Sequence, residues 1–206
     1  MNDFFKKTIA GLATIGILAL MYLGAFLPLR KSQLYIRAMV DVQSGKVRTL
    51  QNFIDSFYPA LDFYSPVGQD EVVSYYAGGI LPTLMDSVAD QPGGPQIIEA
   101  LLQDLDKWIE PIIKSGKGFG FSQNLYNFGN IYYVAAEKLN SDAYLQKSID
   151  FFNEGLKSSP GRDLFFEGLF RDYQLKGDKV KMREIGDIIL KHWPDSEEIR
   201  KAMESL

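Results

Sequence analysis

The clearest pattern in the chain is an uncharged apolar run, TIAGLATIGILALMYLGAFLPL, over residues 8–29. At about 1.5 Å per helical residue this run is roughly 33 Å long, which matches a hydrocarbon core of about 30 Å. Basic pairs flank it, Lys6-Lys7 before and Arg30-Lys31 after. The pattern therefore predicts a short N-terminal tail over residues 1–7 and a single transmembrane anchor over residues 8–29.

A cleaved signal peptide is the main alternative to this anchor. Signal peptides have an apolar region of about 7–15 residues that ends in a small-x-small cleavage site. The best such site, near Gly24-Ala25, has Leu23 where a small residue is required. A buried core helix is disfavoured, since no polar stripe interrupts the run. We therefore favour an uncleaved signal anchor.

The side of the membrane follows from two opposing signals. Five basic residues lie between the span and residue 48, against two before it, and this count favours a cytoplasmic domain. A short tail that ends in Lys-Lys is typical of a signal anchor with its domain across the membrane. We expect an extracytoplasmic domain.

Beyond the anchor, apolar residues recur at helical spacing. One stripe contains Ile97, Leu101, Leu105, Trp108 and Ile112, with steps that match a period of 3.6 residues. Glu99 and Asp104 fall outside it and are expected to face solvent, and Pro111 is expected to kink or end the helix. Similar spacing predicts helices around residues 33–42, 47–57, 71–89, 121–139, 143–157, 163–175, 179–192 and 196–205.

Turn-forming residues separate these segments, for example the run Gln91-Pro92-Gly93-Gly94-Pro95. Asp195 and Glu198 have the spacing of a capping box that would open the last helix. No long segment alternates apolar and polar residues, so no β-sheet is expected. Short connections between helices predict antiparallel hairpins. The predicted fold class is all-α, with one N-terminal transmembrane helix followed by antiparallel helical hairpins.

Composition and charge exclude several kinds of site. The chain has no cysteine and one histidine, His192, which excludes thiol chemistry, disulfides and any site that needs two imidazoles. The net charge is −4, and the stretch between Arg48 and Lys107 holds nine acidic residues and no Lys or Arg. Such a surface repels phosphate backbones, so no nucleic-acid partner is expected.

No arrangement of residues predicts catalysis or a cofactor. Asp104, Asp106 and Glu110 lie within a helical segment, whereas calcium ligands come from a glycine-containing loop. No Ser or carboxylate lies at a recognisable catalytic spacing from His192. We therefore expect no metal, no cofactor and no enzymatic activity.

A repeat of 34 residues is the most informative feature of the C-terminal half. Pro160 and Pro194 are 34 residues apart. Before Pro160, the small residues Ser148 and Gly155 flank Phe152 at steps of four and three. This spacing resembles the second helix of a tetratricopeptide repeat (TPR), where small residues let two helices approach, an aromatic ring fills the space between them and proline ends the helix.

The same register continues in both directions. In the following unit Phe166, Leu169 and Tyr173 occupy the first-helix core positions of the family, although Phe170 replaces a small residue and Gly186 replaces an aromatic one. In the preceding unit the matching residues are Leu125, Phe128, Gly129 and Tyr132, followed by an insertion of about two helical turns. The resemblance implies a TPR-like α-solenoid over residues 121–206 with a C-terminal capping helix, and leaves residues 30–120 as helical hairpins without a clear register. A plain helical bundle is the alternative.

A second similarity concerns the stretch Leu61-Asp62-Phe63-Tyr64-Ser65-Pro66-Val67-Gly68-Gln69-Asp70-Glu71. It resembles the helical tail after the last span of bacterial O-antigen ligase or polymerase-like membrane proteins. The catalytic membrane portion of those proteins is missing here, so no functional residue is transferred from them.

The TPR resemblance also implies a partner-binding surface. In that family the concave surface is formed by first-helix residues that do not pack against the second helix. By register these are Gln123, Tyr126, Asn130 and Tyr133 in one unit and Glu167, Arg171 and Gln174 in the next. Polar groups with interleaved tyrosines suit an extended peptide or a helix. We therefore expect a non-catalytic, membrane-anchored scaffold or adaptor that binds a protein or peptide.

Two other interpretations remain open at this point. The predicted surface residues could form only a solvated face. The apolar helix could instead pack into a filament or a larger membrane complex, which would make the chain a structural subunit. Type IV pilins are the familiar example, but their processing site and the acidic residue early in the helix are missing here.

Overall fold

The computed structural model describes residues 3–47, 49–118 and 120–206. It is all-helical, with 83% of residues in helices and no strand in the described ranges. Met1 and Asn2, from the predicted tail, and Arg48 and Phe119, from the predicted hairpin region, lie outside these ranges. The chain divides into two compact units, Met1–Val73 and Ser74–Leu206.

The first unit begins with a continuous helical rod. Helix α1 (Asp3–Met21) passes through a π-helical turn (Tyr22–Phe26) into α2 (Leu27–Gln43) without a break. This rod is long and apolar enough to cross a membrane, a property that a signal sequence near the N-terminus shares. The predicted helix around residues 33–42 is therefore not separate from the span but continues it.

The π turn has a counterpart further along the chain, and both precede a Leu-Pro pair. Tyr22–Phe26 comes before Pro28, and a second π turn, Tyr76–Ile80, comes before Pro82. Proline in a helix lacks a donor and crowds the carbonyl four residues earlier, and a wider π turn relieves that crowding. The local widening lets each helix continue through its proline.

A helical hairpin forms the rest of the first unit. α3 (Leu50–Leu61) packs against α2, and the hydroxyl of Thr49 caps it by accepting a hydrogen bond from the Asn52 amide at 3.1 Å. Phe53 and Phe57 are buried between these helices, with the Phe57 ring centroid 5.9 Å from that of Tyr35. α4 (Gln69–Tyr75) follows and crosses the boundary between the units.

The second unit is a succession of helices in which neighbours along the chain pack together. After the second π turn come α5 (Leu81–Val88), α6 (Gly94–Ser115), α7 (Phe121–Leu139), α8 (Asp142–Ser158), α9 (Asp163–Lys176), α10 (Lys179–His192) and α11 (Glu197–Glu204). α7 contacts α8, α8 contacts α9, and α7 also contacts α9. Further along, α9 contacts α10 and α10 contacts α11.

The ring of Phe152 lies at the centre of this packing. Cβ atoms built on Gly129 of α7 and Gly168 of α9 would lie 2.5 and 2.6 Å from it, so both glycines allow their helices to approach the ring. The small residue of α9 that packs closely is therefore Gly168. The repeat pattern instead expects a small residue at position 170, where the chain has Phe170. Phe170 is itself buried.

Two local expectations from the sequence are wrong, those for Asp104 and for the capping box, and one of the two alternatives for Pro111 is excluded. Asp104 is buried, because it lies beside the hydroxyl of Tyr76, which donates to it over 3.4 Å. Pro111 does not end α6, which continues to Ser115. The last helix has Ser196 as its N-cap residue, without a side-chain capping bond, so Asp195 does not form the predicted capping box.

Candidate partner-binding groove

Two helices carry the seven predicted binding residues. Gln123, Tyr126, Asn130 and Tyr133 belong to α7, and Glu167, Arg171 and Gln174 belong to α9. Steps of three and four residues place each set on one face of its helix. The contact of α7 with α9 brings these two faces side by side.

A groove of about 560 Å³ lies along this surface. Four predicted residues line it, namely Tyr126, Glu167, Arg171 and Gln174, and Phe170 lies among them. Residues of the last helix and its N-cap complete the lining: Ser196, Glu197, Glu198, Ile199 and Ala202. The sequence pattern did not indicate this contribution, because α11 was expected only to cap the repeats.

Arg171 connects most of the remaining predicted residues to the groove. Its guanidinium donates a hydrogen bond to Oδ1 of Asn130 at 2.6 Å and lies 5.1 Å from the ring centroid of Tyr133. Its Nε is buried and has no hydrogen-bond partner among the described residues. Asn130 and Tyr133 therefore do not line the groove. They hold Arg171, the one cationic side chain among the described residues that line it.

Gln123 has a different role from the other six residues. Its amide oxygen accepts a hydrogen bond from Arg162, and its amide nitrogen donates to Asn127 at 3.1 Å. Asn127 in turn donates to the hydroxyl of Ser74 at 2.7 Å. Gln123 is thus part of a polar network at the start of α7, outside the groove lining.

The groove offers several kinds of contact. Glu167, Glu197 and Glu198 bring three carboxylates, Arg171 a guanidinium and Gln174 an amide, while Phe170 and Ile199 are apolar. Such a mixture can pair with the N–H and C=O groups of an extended backbone and hold apolar side chains between them.

A buried polar cluster lies directly behind Arg171. Asp172 is fully buried, and its two carboxyl oxygens lie 2.9 and 3.0 Å from the hydroxyl of Ser148. That hydroxyl also lies 2.9 Å from the backbone carbonyl of Gly129. Burial raises the pKa of Asp172 to about 7, although Ser148 and Arg171 both act to lower it.

Protonation of Asp172 would give the carboxyl group, the Ser148 hydroxyl and the Gly129 carbonyl at least one hydrogen bond each. A hydroxyl has one proton to donate, so Ser148 cannot serve the carboxylate and the Gly129 carbonyl together. A protonated Asp172 donates to Ser148, and Ser148 then donates to the carbonyl. The cluster joins α7, α8 and α9 where they meet, and sequence reasoning missed it because Asp172 sits next to the expected surface residue Arg171.

A second depression, of about 370 Å³, lies over α6, α7 and α8. Here the hydroxyl of Tyr132 donates to Asp106, and Lys147 lies 3.2 Å from the same carboxylate and 4.7 Å from the Tyr132 ring centroid. Burial and this hydrogen bond raise the pKa of Tyr132. These contacts join three helices and leave the tyrosine in its neutral form, which suits a structural role.

No group of three or more His, Asp or Glu residues lies close enough to hold a metal ion within residues 3–47, 49–118 and 120–206. Comparisons with protein-family models, curated proteins and solved structures found no match to this chain. Any functional conclusion therefore rests on the geometry of the groove and on the N-terminal helix.

Proposed function

We propose that this protein is a single-pass, membrane-anchored scaffold or adaptor that binds a protein or peptide partner in the groove between α7, α9 and α11, without chemistry of its own. The observation that carries the proposal is the groove itself. Four residues that the repeat register selected line it, together with residues of the last helix and its N-cap. The partner would lie across α9, between the faces of α7 and α11.

The contact pattern supports a TPR-like solenoid for residues 121–206. In such a solenoid each helix packs on its neighbours, and the first helices of successive repeats also touch. The contacts of α7 with α8 and α9, and of α9 with α10, follow this scheme. Gly186 of α10 lies against Met203 of α11, which supports α11 as a cap that fills the place of a missing aromatic ring.

The exposed apolar rod supports the anchor. Its large side chains include Leu12, Ile15 and Leu18, with exposed fractions of 65, 65 and 59%. A hydrocarbon environment would remove this surface from water at roughly 25 cal/mol per Å². We propose an uncleaved anchor with an extracytoplasmic domain, and protease protection in intact versus opened cells tests the side.

Site-specific photo-crosslinking tests the groove. A photoreactive amino acid at Gln174, which lines the groove, is expected to give a discrete adduct with one partner in native membranes. The same amino acid at Val180, which is 76% exposed on α10 and outside the lining, is expected to give none.

A charge reversal provides the matched test of the same surface. Arg171→Glu adds a fourth carboxylate to the groove and removes the contacts to Asn130 and Tyr133, so the Gln174 adduct should disappear while helicity is unchanged. Arg183→Glu makes the same charge change at an exposed position of α10 and should preserve the Gln174 adduct. An adduct that survives Arg171→Glu would remove the groove from the proposal.

The exposed apolar side chains of α1 also favour a second candidate, a structural subunit of a membrane complex or filament. Detergent extraction followed by size analysis separates the two functions. A filament subunit leaves long assemblies, whereas an anchored adaptor leaves a small particle with or without one partner.

A further inference from the structure

The side chain of Lys31 ties a distant loop to the end of the apolar run. Lys31 follows the run by two residues, yet it is 1% exposed. Its ammonium donates a hydrogen bond to the backbone carbonyl of Phe63 at 2.7 Å. Phe63 belongs to the connection between α3 and α4, residues 62–68, which we call the 62–68 loop.

The lengths of α2 and α3 also place the 62–68 loop near the end of the apolar run. From Lys31 to Gln43, α2 rises about 18 Å, and from Leu50 to Leu61, α3 returns by about 17 Å. Lys31 bonds to Phe63 and Tyr35 contacts Phe57, so residues later in α2 meet residues earlier in the partner segment, as in an antiparallel pair. The 62–68 loop therefore lies at the level where the apolar run ends.

The loop presents large side chains outward at that level. Tyr64 is 74% exposed and Val67 is 57% exposed. Contacts within the first unit hold the loop in place. The Ser65 hydroxyl donates to the Val67 carbonyl at 2.6 Å, and a Cβ built on Gly68, at φ +92°, would lie 3.8 Å from Cδ of Lys31. Tyrosine is enriched at membrane interfaces, where its ring is apolar and its hydroxyl stays hydrated.

The 62–68 loop itself carries no basic residue, so it offers anionic headgroups no attraction of its own. Lys31, the cation that bonds to the loop, is buried, and the carboxylate of Asp62 acts on its charge. Asp70 and Glu71 follow directly after the loop. A contact with lipid at this point would depend on Tyr64 and Val67 and not on the loop's charge.

We propose that the 62–68 loop is a second membrane contact, which inserts Tyr64 and Val67 into the interfacial zone of the bilayer and fixes the first unit against the membrane surface. The proposal rests on the proposed anchor over residues 8–29, because the depth of the loop is measured from the end of that span. Its occupant is the bilayer interface, and a protein surface in its place is an outcome of the test below.

The absence of cysteine makes a depth measurement direct. Single-cysteine variants Tyr64→Cys and Val67→Cys, labelled with an environment-sensitive fluorophore, are reconstituted as full-length chain in phosphatidylcholine vesicles that contain a nitroxide lipid quencher. Ser44→Cys, exposed at the other end of α2 and about 20 Å along the helix from Lys31, serves as the matched control. Leu12→Cys reports on the span.

We expect quenching at positions 64 and 67 to be severalfold stronger than at position 44 and unchanged when anionic lipid is added. Lys31→Met keeps an apolar stem in place but removes the bond to Phe63, and it should lower quenching at position 67 while leaving position 12 quenched. Quenching at positions 64 and 67 equal to that at position 44 overturns the loop contact.

Two further outcomes separate this inference from the proposed function. If position 12 is quenched and positions 64 and 67 are shielded from both lipid and water-soluble quenchers, a protein surface covers the loop and the lipid contact is refuted, while the anchor stands. If position 12 is not quenched, the anchor itself fails, and the loop proposal fails with it.

Discussion

The buried carboxyl group of Asp172 makes the stability of the helical body depend on pH in an uncommon direction. Its pKa is raised from 3.8 to about 7. Between these values the folded chain keeps the proton and the unfolded chain does not. The stability that the Asp172 proton contributes is therefore fully present below about pH 4 and is lost as pH rises towards 7. Above pH 7 this group causes no further change.

The size of the effect follows from the shift. At about 1.4 kcal/mol per pKa unit, a shift of roughly three units corresponds to about 4 kcal/mol. Asp172 is fully buried, so solvent screening does not reduce this figure, although relaxation of the surrounding helices does. We expect the free energy of unfolding to lose between about 2 and 4 kcal/mol from Asp172 between pH 4 and pH 7.5.

Asp172→Asn removes the titrating proton and keeps the shape and the ability to donate to Ser148. Urea unfolding of the full-length chain in a nonionic detergent, at half-unit steps from pH 4 to 7.5, gives the free energy of unfolding of both proteins. The free energy of unfolding of Asp172→Asn minus that of the native chain should rise by about 2 to 4 kcal/mol over this pH range. Asp150→Asn, which removes an exposed carboxylate from α8, controls for the change in net charge.

Parallel stability curves for the native chain and Asp172→Asn would refute this reasoning. They would mean that Asp172 is ionised in the folded state at pH 5, and therefore that the Ser148 hydroxyl and Arg171 stabilise the carboxylate more than burial destabilises it. The hydrogen-bond arrangement behind Arg171 would then need to be reversed, with Ser148 donating to Asp172 and not to Gly129.

Other predictions concern packing and capping. Gly168→Ala should lower the free energy of unfolding by about 1–3 kcal/mol in urea, because its Cβ would meet the buried ring of Phe152 at 2.6 Å. A Cβ built on Gly79 would meet no atom of another segment within 4 Å, so Gly79→Ala should be neutral or slightly stabilising. Equal losses of stability in Gly168→Ala and Gly79→Ala would contradict the packing around Phe152. Thr49→Ala should cost about 1 kcal/mol through loss of the α3 cap, whereas Ser196→Ala, at an N-cap without a side-chain bond, should change stability by only a few tenths. A larger loss at Ser196 would show a capping bond that this structure lacks.

Much of the helical architecture is predictable from the spacing of apolar residues. Segments such as 121–139 and 179–192 match α7 and α10 at both ends, because glycine, asparagine and Asp178 mark their boundaries clearly. The π turns were not predictable from periodicity, because the first lies in an apolar run without a polar stripe and the second lies in a short segment with two adjacent glycines. Only the proline that follows each turn hints at them.

Polar residues inside the core are the part that periodicity could not assign. Asp104 and Asp172 are buried because a neighbouring hydroxyl, from Tyr76 or Ser148, lies beside each carboxyl group. Those partners lie 28 and 24 residues away in the chain, so the pairing depends on how helices pack. Gly168 was missed for the same reason, because the ring that requires it belongs to another helix.

The groove was predictable only in part. The TPR resemblance implied Tyr126, Glu167, Arg171 and Gln174 through their repeat register, and steps of three or four residues place each set on one helix face. The contribution of α11 depends on how that helix packs against α10, which no spacing along the chain reveals. The split between groove-lining residues and those that only hold Arg171 likewise depends on side-chain contacts between helices.

Alkaline carbonate extraction of native membranes, combined with mass analysis of the N-terminus, tests the central claim most directly. The account predicts that the full-length protein stays in the membrane pellet and retains residues 8–29. Release of the protein into the carbonate supernatant, or a mature chain that begins after Ala25, would contradict the anchor and the placement of every surface derived from it.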